Sequence, residues 1–192
     1  NMLWITGHKI NEKNDSGGNT WIDRGNWHKH NLPVIVKTLN SEYPPLEEIT
    51  RLRHEYQIRT NLKDIEQIVN CYRIETHQHG VALTLEDFGG LAFSKFLTTT
   101  KLDLRQFLEI AVGLVKSLGQ IHQKQIIHKD IKPPNIIIIP ETYQVKITEY
   151  RITARLVRHN AISMYSNFRD SMLGDICAVQ TCCMMPTNYT IA

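Results

Sequence analysis

The sequence predicts an α+β fold whose first half is a mainly antiparallel sheet. Three observations carry this expectation. Short β-branched runs occupy 33–37, 68–74 and 81–85. Two longer stretches, 46–62 and 102–120, change to helical spacing of their apolar residues. Two more short β-branched runs, 135–139 and 145–147, flank a turn soon after the second helix.

Composition narrows the class. With 192 residues, 42% hydrophobic and 21% charged, the chain suits one folded domain or two small lobes. Its 22 basic and 19 acidic residues leave a net charge of +3, too small and too dispersed to point to nucleic acid or a membrane surface. No apolar run approaches the ~20 residues of a membrane span; the tightest, Ile136 to Ile139, has four. No charged-then-apolar leader is read at the start. Cys71, Cys177, Cys182 and Cys183 show no CxxC pair, so free thiols in a reducing, cytoplasmic setting are expected.

The elements follow in order. Segment 1–30 is polar, with the cluster Asn14-Asp15-Ser16-Gly17-Gly18-Asn19 between Leu3-Trp4-Ile5 and Trp21-Ile22, and predicts a hairpin. Pro33-Val34-Ile35-Val36-Lys37 reads as a buried strand ending in lysine. Leu46, Ile49, Leu52, Tyr56 and Ile58, interleaved with charges, predict an amphipathic helix from Leu46 to Leu62. Strands are expected near Ile68 to Ile74 and Val81 to Leu85, the second broken by Gly89-Gly90. From Leu102 to Gln120 the residues Leu104, Phe107, Leu108, Ala111, Leu114, Val115 and Leu118 fall on one face, and Asp103 is placed to cap its start. The runs Asn135 to Ile139 and Val145 to Ile147 imply a loop held open by a small ribbon.

That loop carries the densest chemistry: His128-Lys129-Asp130-Ile131-Lys132-Pro133-Pro134-Asn135. Phosphoryl transfer needs positioning and charge neutralisation, so a base, a cation and a metal ligand belong on one rigid loop. The segment resembles the catalytic loop of protein kinases, HRDxKxxN. The resemblance implies a two-lobed protein kinase-like fold that binds ATP and Mg2+ between its lobes. It implies that Asp130 accepts the substrate hydroxyl proton, Lys132 meets the γ-phosphate and Asn135 holds magnesium. Lys132 also resembles the serine/threonine subclass. Lys129 stands where an arginine is usual and loses the bidentate fork.

The resemblance extends from about Gly7 to Leu156. Val34-Ile35-Val36-Lys37 looks like the family's VAIK, which makes Lys37 the ligand of the α- and β-phosphates. Glu55 matches its ion-pair glutamate. Ala82 to Gly90 resembles the strand and hinge that hold adenine, with Leu85 as gatekeeper and the backbones of Glu86 and Phe88 bonding the base. Ile137 falls at the apolar floor under adenine, and Gly17 and Gly18 at the phosphate loop. The wording EDFGG, IHKDIKPPNI and PETYQVKI looks closest to kinase modules of large bacterial multidomain sensor kinases, so a larger signalling protein is implied. Domain limits follow: 1–88 as N-lobe and hinge, 89–156 as the start of the C-lobe, and 157–192 as a weakly patterned tail with the C-lobe incomplete.

Four departures stand beside the match. Where the family has Asp-Phe-Gly, this chain has Glu149-Tyr150-Arg151. Glu149 is still a carboxylate, one methylene longer than magnesium's near-octahedral demands favour, and Arg151 lacks the freedom of glycine. GxGxxG is absent around Gly17-Gly18. Arg59 takes a place that the family gives to an apolar residue, and must be paired or turned outward. No Ala-Pro-Glu follows Arg151. His28/His30 and His77/His79 are read as surface residues, because neither pair has a third metal ligand nearby, and metal binding by Cys177, Cys182 and Cys183 is disfavoured. Two readings result: a serine/threonine kinase acting on a protein hydroxyl, or a pseudokinase or truncated fragment that binds nucleotide or acts as a scaffold.

Overall fold

In this computed structural model the residues described are 8–17, 19–77, 80–150 and 154–155. They fall into two compact units. One runs to Lys63 and adds Val69–Phe88; the other combines Asp64–Ile68 with the chain from Gly89 onward.

The first unit is a five-stranded antiparallel sheet with one helix. Its elements are β1 (His8–Gly17), β2 (Thr20–Trp27), β3 (Leu32–Leu39), α1 (Leu46–Asn61), β4 (Cys71–His77) and β5 (Gly80–Glu86). The strand order is β1-β2-β3-β5-β4. β3 is central, and the period of two sorts its side chains. Val34 and Val36 pack with Ala82 and Trp27 in one cluster. Ile35 and Leu39 join the other, with Leu52 of α1 and Val81, Leu83 and Leu85 of β5. Lys37 shares the parity of Ile35 and Leu39, which turns it toward the layer that holds α1. In register it sits opposite Ile22 on β2 and Leu83 on β5.

Helix α1 starts at the Pro44-Pro45 break, with Glu47 and Glu48 in its first turn, where acids suit the helix dipole. Leu52 and Ile58 are buried as the pattern predicts, whereas Leu46 is exposed. The expected hairpin is present, but its polar cluster is not all turn. Asn14 to Gly17 lie in β1, paired with β2 down to Gly17 opposite Thr20. Backbone pairing, which ignores side-chain polarity, extends the strand. Leu3-Trp4-Ile5 lies outside the described residues. The strand expected from Ile68 begins at Cys71 instead.

The second unit contains β6 (Leu91–Ala92), α2 (Phe93–Thr99), α3 (Leu104–Gln123), β7 (Ile126–Ile127), a 3-10 turn at Pro133–Asn135, β8 (Ile136–Ile138), β9 (Val145–Ile147) and β10 (Ala154–Arg155). β6, β8 and β9 form one small sheet, and β7 pairs with β10. Ile68 adds a parallel bridge to Ile147. Helix α3 opens with a capping box: Asp103 accepts from the Gln106 N–H at 2.8 Å, and the Gln106 side chain accepts from the Asp103 N–H at 2.9 Å. Its buried stripe is Ile110, Leu114, Ser117, Leu118 and Ile121. This corrects the predicted face: Leu104, Leu108 and Val115 are exposed. The apolar arc of α3 is wider than the strip its neighbours cover. Among the described residues no helix is long and apolar enough to cross a membrane.

Gly90 fixes where β6 meets β8. A Cβ there would stand 2.5 Å from the Ile138 carbonyl oxygen and 2.7 Å from Ile137 Cγ2. Gly89 has a left-handed φ of 76° with open space around it. The paired glycines therefore serve different needs, one steric and one conformational.

Candidate active site

The first unit buries an ion-pair chain. Lys37 Nζ donates to Glu55 Oε2 at 2.9 Å, with side chains 1% and 0% exposed. Arg59, one helical turn on, donates from Nε and Nη2 to Glu55 Oε1 at 3.0 and 2.8 Å. Its Nη1 reaches the Val69 carbonyl at 2.6 Å. Arg59 is thus buried and paired. Burial pushes the Glu55 carboxyl up, but the Lys37 and Arg59 charges and hydrogen bonds outweigh it and bring the group down to about 2. Nearby Cys71 moves the other way. Burial, with Glu55 adding and Arg59 and Lys37 opposing, raises its thiol to about 11.

At the end of β5 the hinge residues are tied down by their side chains. Glu86 Oε2 accepts from the Asn70 N–H at 3.1 Å and from Asn70 Nδ2 at 3.2 Å. The Glu86 N–H donates to the Asn70 carbonyl at 2.9 Å, so a base read at Glu86 would meet its carbonyl oxygen. Asp87 Oδ1 accepts from Arg24 Nη2 of β2 at 3.2 Å, and its Oδ2 lies 2.7 Å from Arg24 Nε as an ion pair. Burial and the Glu86 charge raise the Tyr72 phenol. Sequence reasoning missed Arg24 and Asn70. An arginine in a strand and an asparagine in a loop carry no local signal of a partner 63 or 16 residues away. Leu85 is buried and Phe88 half-buried. Gly17 ends β1, and Gly18 lies outside the described residues.

The second unit gathers the predicted loop. Lys132 Nζ lies 2.9 Å from Asp130 Oδ1. Asn135 Nδ2 donates to Asp130 Oδ2 at 2.7 Å and to the Asp130 carbonyl at 2.9 Å. One carboxylate is therefore bracketed by a cation and an amide. Pro133 and Pro134 start the turn that carries Asn135 back toward Asp130. Lys129 sits at φ 64° and Glu149 at φ 63°, both left-handed. His128 is fully buried and spans the loop. Its Nδ1 accepts from the Asp130 N–H, so its Nε2 donates to the Thr148 carbonyl, each at 3.3 Å. Its ring stands edge-on to Tyr150 at 4.9 Å. The buried Tyr150 hydroxyl donates to the Ile147 carbonyl at 3.3 Å. Ile137 is half-buried on β8, paired with Ala92 and Lys146.

The donor set suits a hard cation. Asn135 spends its amide nitrogen on Asp130, so its Oδ1 would be the atom to ligate a metal, and the Glu149 carboxylate would be the second candidate. Oxygen donors of this kind fit magnesium. Among the described residues no group of three or more His, Cys, Asp or Glu could hold a metal. Arg151 and the three C-terminal cysteines lie outside the described residues. His28 and His30 are exposed, and His79 lies outside the described residues.

Comparison with known proteins identifies the family. Residues 16–172 match the protein kinase domain family model. The chain is 30% identical over 125 residues to the serine/threonine-protein kinase PrkC of Bacillus subtilis, covering 64% of this chain and 19% of that protein. It is 28% identical over 100 residues to the probable serine/threonine-protein kinase fnkB of Dictyostelium discoideum, covering 52% and 19%. It is 31% identical over 147 residues to the human serine/threonine-protein kinase ULK1, covering 70% and 13%. The chain thus spans about a fifth or less of these relatives. With the lysine–glutamate pair made and the aspartate bracketed by lysine and asparagine, the chain belongs to the protein kinase family.

Proposed function

We propose that this chain binds Mg·ATP and transfers the γ-phosphate to a serine or threonine hydroxyl of a protein. The observation that carries this reading is the Asp130 carboxylate, held at once by Lys132 and Asn135. Asp130 orients the incoming hydroxyl and takes its proton. Lys132, half-exposed, swings from Asp130 to the γ-phosphate, where its charge offsets the negative charge of the transferred group. Lys37, kept in place by Glu55, holds the α- and β-phosphates. By the family resemblance the Glu86 carbonyl and the Phe88 backbone would bond the base, and Leu85, Ile137, Gly17 and Gly18 are the other residues this reading assigns to the nucleotide. Asn135 and Glu149 would ligate magnesium, which supplies charge neutralisation to the triphosphate. In this reading residues 1–88 are the nucleotide-holding lobe, 89–156 begin the transfer lobe, and the chain is one module of a larger signalling protein.

The test is a thermal melt of the chain with ATP, in magnesium and in EDTA, followed by a phosphotransfer assay of the chain and of Asp130→Asn. A ligand specific to the folded form adds about 2.7 kcal/mol at a hundredfold excess over Kd. The reading expects a magnesium-dependent rise, with transfer abolished in Asp130→Asn. A rise that ignores magnesium, without transfer, assigns the chain to nucleotide binding alone. Undiminished transfer by Asp130→Asn refutes the role given to that residue.

A further inference from the structure

We infer that Arg59 is a positioning residue that clamps the Glu55 carboxylate from inside α1 and so keeps Lys37 aimed. The spacing is favourable: residues i and i+4 share a helix face, with the acid on the N-terminal side. The geometry is specific. Glu55 is fully buried, and its two oxygens are divided between two cations, Oε2 to Lys37 and Oε1 to Arg59. The guanidinium cannot follow Glu55 outward, because its third nitrogen is fixed on the Val69 carbonyl. Arg59 therefore ties α1 to the entry of β4 as well as to Glu55. An apolar residue at 59 would leave Oε1 buried without a cation, and a buried carboxylate in that state protonates or leaves. Either way Lys37 loses its partner.

Among the described residues, the charges acting on Glu55 are Lys37 on β3 and Arg59 on α1, with the Cys71 thiol on β4 beside them. The Cys71 thiol stays neutral at physiological pH, so Glu55 answers to the two cations. Removing Arg59 takes away one of them, while the burial that favours the neutral acid stays. The carboxyl must then titrate at higher pH.

The decisive measurement follows the 13C carboxyl signal of Glu55 from about pH 2.5 to pH 8 in the parent, Arg59→Leu and Arg59→Lys. The parent is expected to show no inflection in this window. Arg59→Leu should bring the inflection into it, a rise of about two pH units or more. Arg59→Lys keeps the charge but cannot span Glu55 and Val69 together, and should rise by about one unit. If Arg59→Leu does not fold, Arg59→Lys decides alone. A flat signal in a folded variant overturns the clamp.

A second arm measures ATP affinity at pH 5 and pH 8, and rests on the reading of the chain as an ATP binder. The parent should be constant, and the variant with the raised carboxyl should bind more weakly at pH 5 than at pH 8, about twofold for a rise of three units and more for a larger one. A parent that binds no ATP refutes that reading but leaves the carboxyl titration to judge Arg59. Loss that is equal at both pH values would mark Arg59 as structural support only, and would overturn the inference.

Discussion

Gly90 offers the sharpest quantitative test of the ribbon that supports the loop. Gly90→Ala adds a carbon 2.5 Å from the Ile138 carbonyl oxygen, 2.7 Å from Ile137 Cγ2 and 2.9 Å from the Ile138 carbonyl carbon. Two of these three atoms are backbone, so no rotamer change relieves the contact. β8 must move by most of an ångström, and β8 carries Ile137 and follows directly on Asn135. Overpacking of this kind costs about 2–3 kcal/mol. For a chain of this size each kcal/mol lowers Tm by about 2–4 °C, so a fall of about 4–12 °C is expected. Gly89→Ala is the control: it has room but a left-handed φ, and should cost about 1 kcal/mol. Ile137→Ala should not rescue Gly90→Ala, because the closest atom is the carbonyl oxygen. Differential scanning calorimetry of the three variants decides the matter. If Gly90→Ala melts within about 1 °C of the parent, the steric argument fails.

Three further outcomes are expected. The Glu55 carboxyl lies below its ordinary value of 4.5, at about 2, so its contribution to stability is full above pH 4.5 and fades as pH falls toward 2; it should be on the order of 3 kcal/mol. Urea titrations at pH 6 and pH 3 should show the gap between the parent and Glu55→Gln narrowing at the lower pH, and a gap indifferent to pH would contradict this. Cys71, raised to about 11, should react with iodoacetamide at pH 8 about a hundredfold more slowly than an ordinary thiol, and peptide-resolved mass spectrometry can read it apart from the other cysteines. Labelling at the rate of a free thiol would show that the site opens readily. Glu149→Asp shortens the carboxylate and places at φ 63° a residue that tolerates left-handed backbone better. Magnesium should bind several-fold more tightly and Tm should not fall; unchanged magnesium affinity would clear Glu149 of the handicap assigned to it.

The loop was legible because its residues act within a few positions of one another. Asp130, Lys132 and Asn135 meet through a turn that two prolines announce, and the Asp103 capping box is likewise local. The Lys37–Glu55 pair was legible only through family resemblance, since nothing near either residue declares a partner 18 positions away. What stayed hidden depends on tertiary neighbours. A buried arginine looks like a surface one until Val69 is known to stand beside it. Helix α2 was not read: it is short, has no side-chain cap, and is held through Phe93 and Phe96, buried rings that a short window cannot distinguish from loop aromatics. The α3 stripe was misjudged because a helix with apolar residues on much of its circumference does not say which arc is covered.

The His128 ring has a consequence for how the second unit can move. One nitrogen holds the backbone N–H of Asp130, and the other holds the carbonyl just before Glu149. The imidazole is thus a rivet through two strips of chain, each carrying one of the acids assigned to catalysis. A disturbance on either strip is felt on the other, so Asp130, proposed as the proton acceptor, and Glu149, proposed as a magnesium ligand, shift in concert rather than separately. Replacing His128 with a residue that keeps only one of these bonds would uncouple them, and would cost the alignment between the two strips.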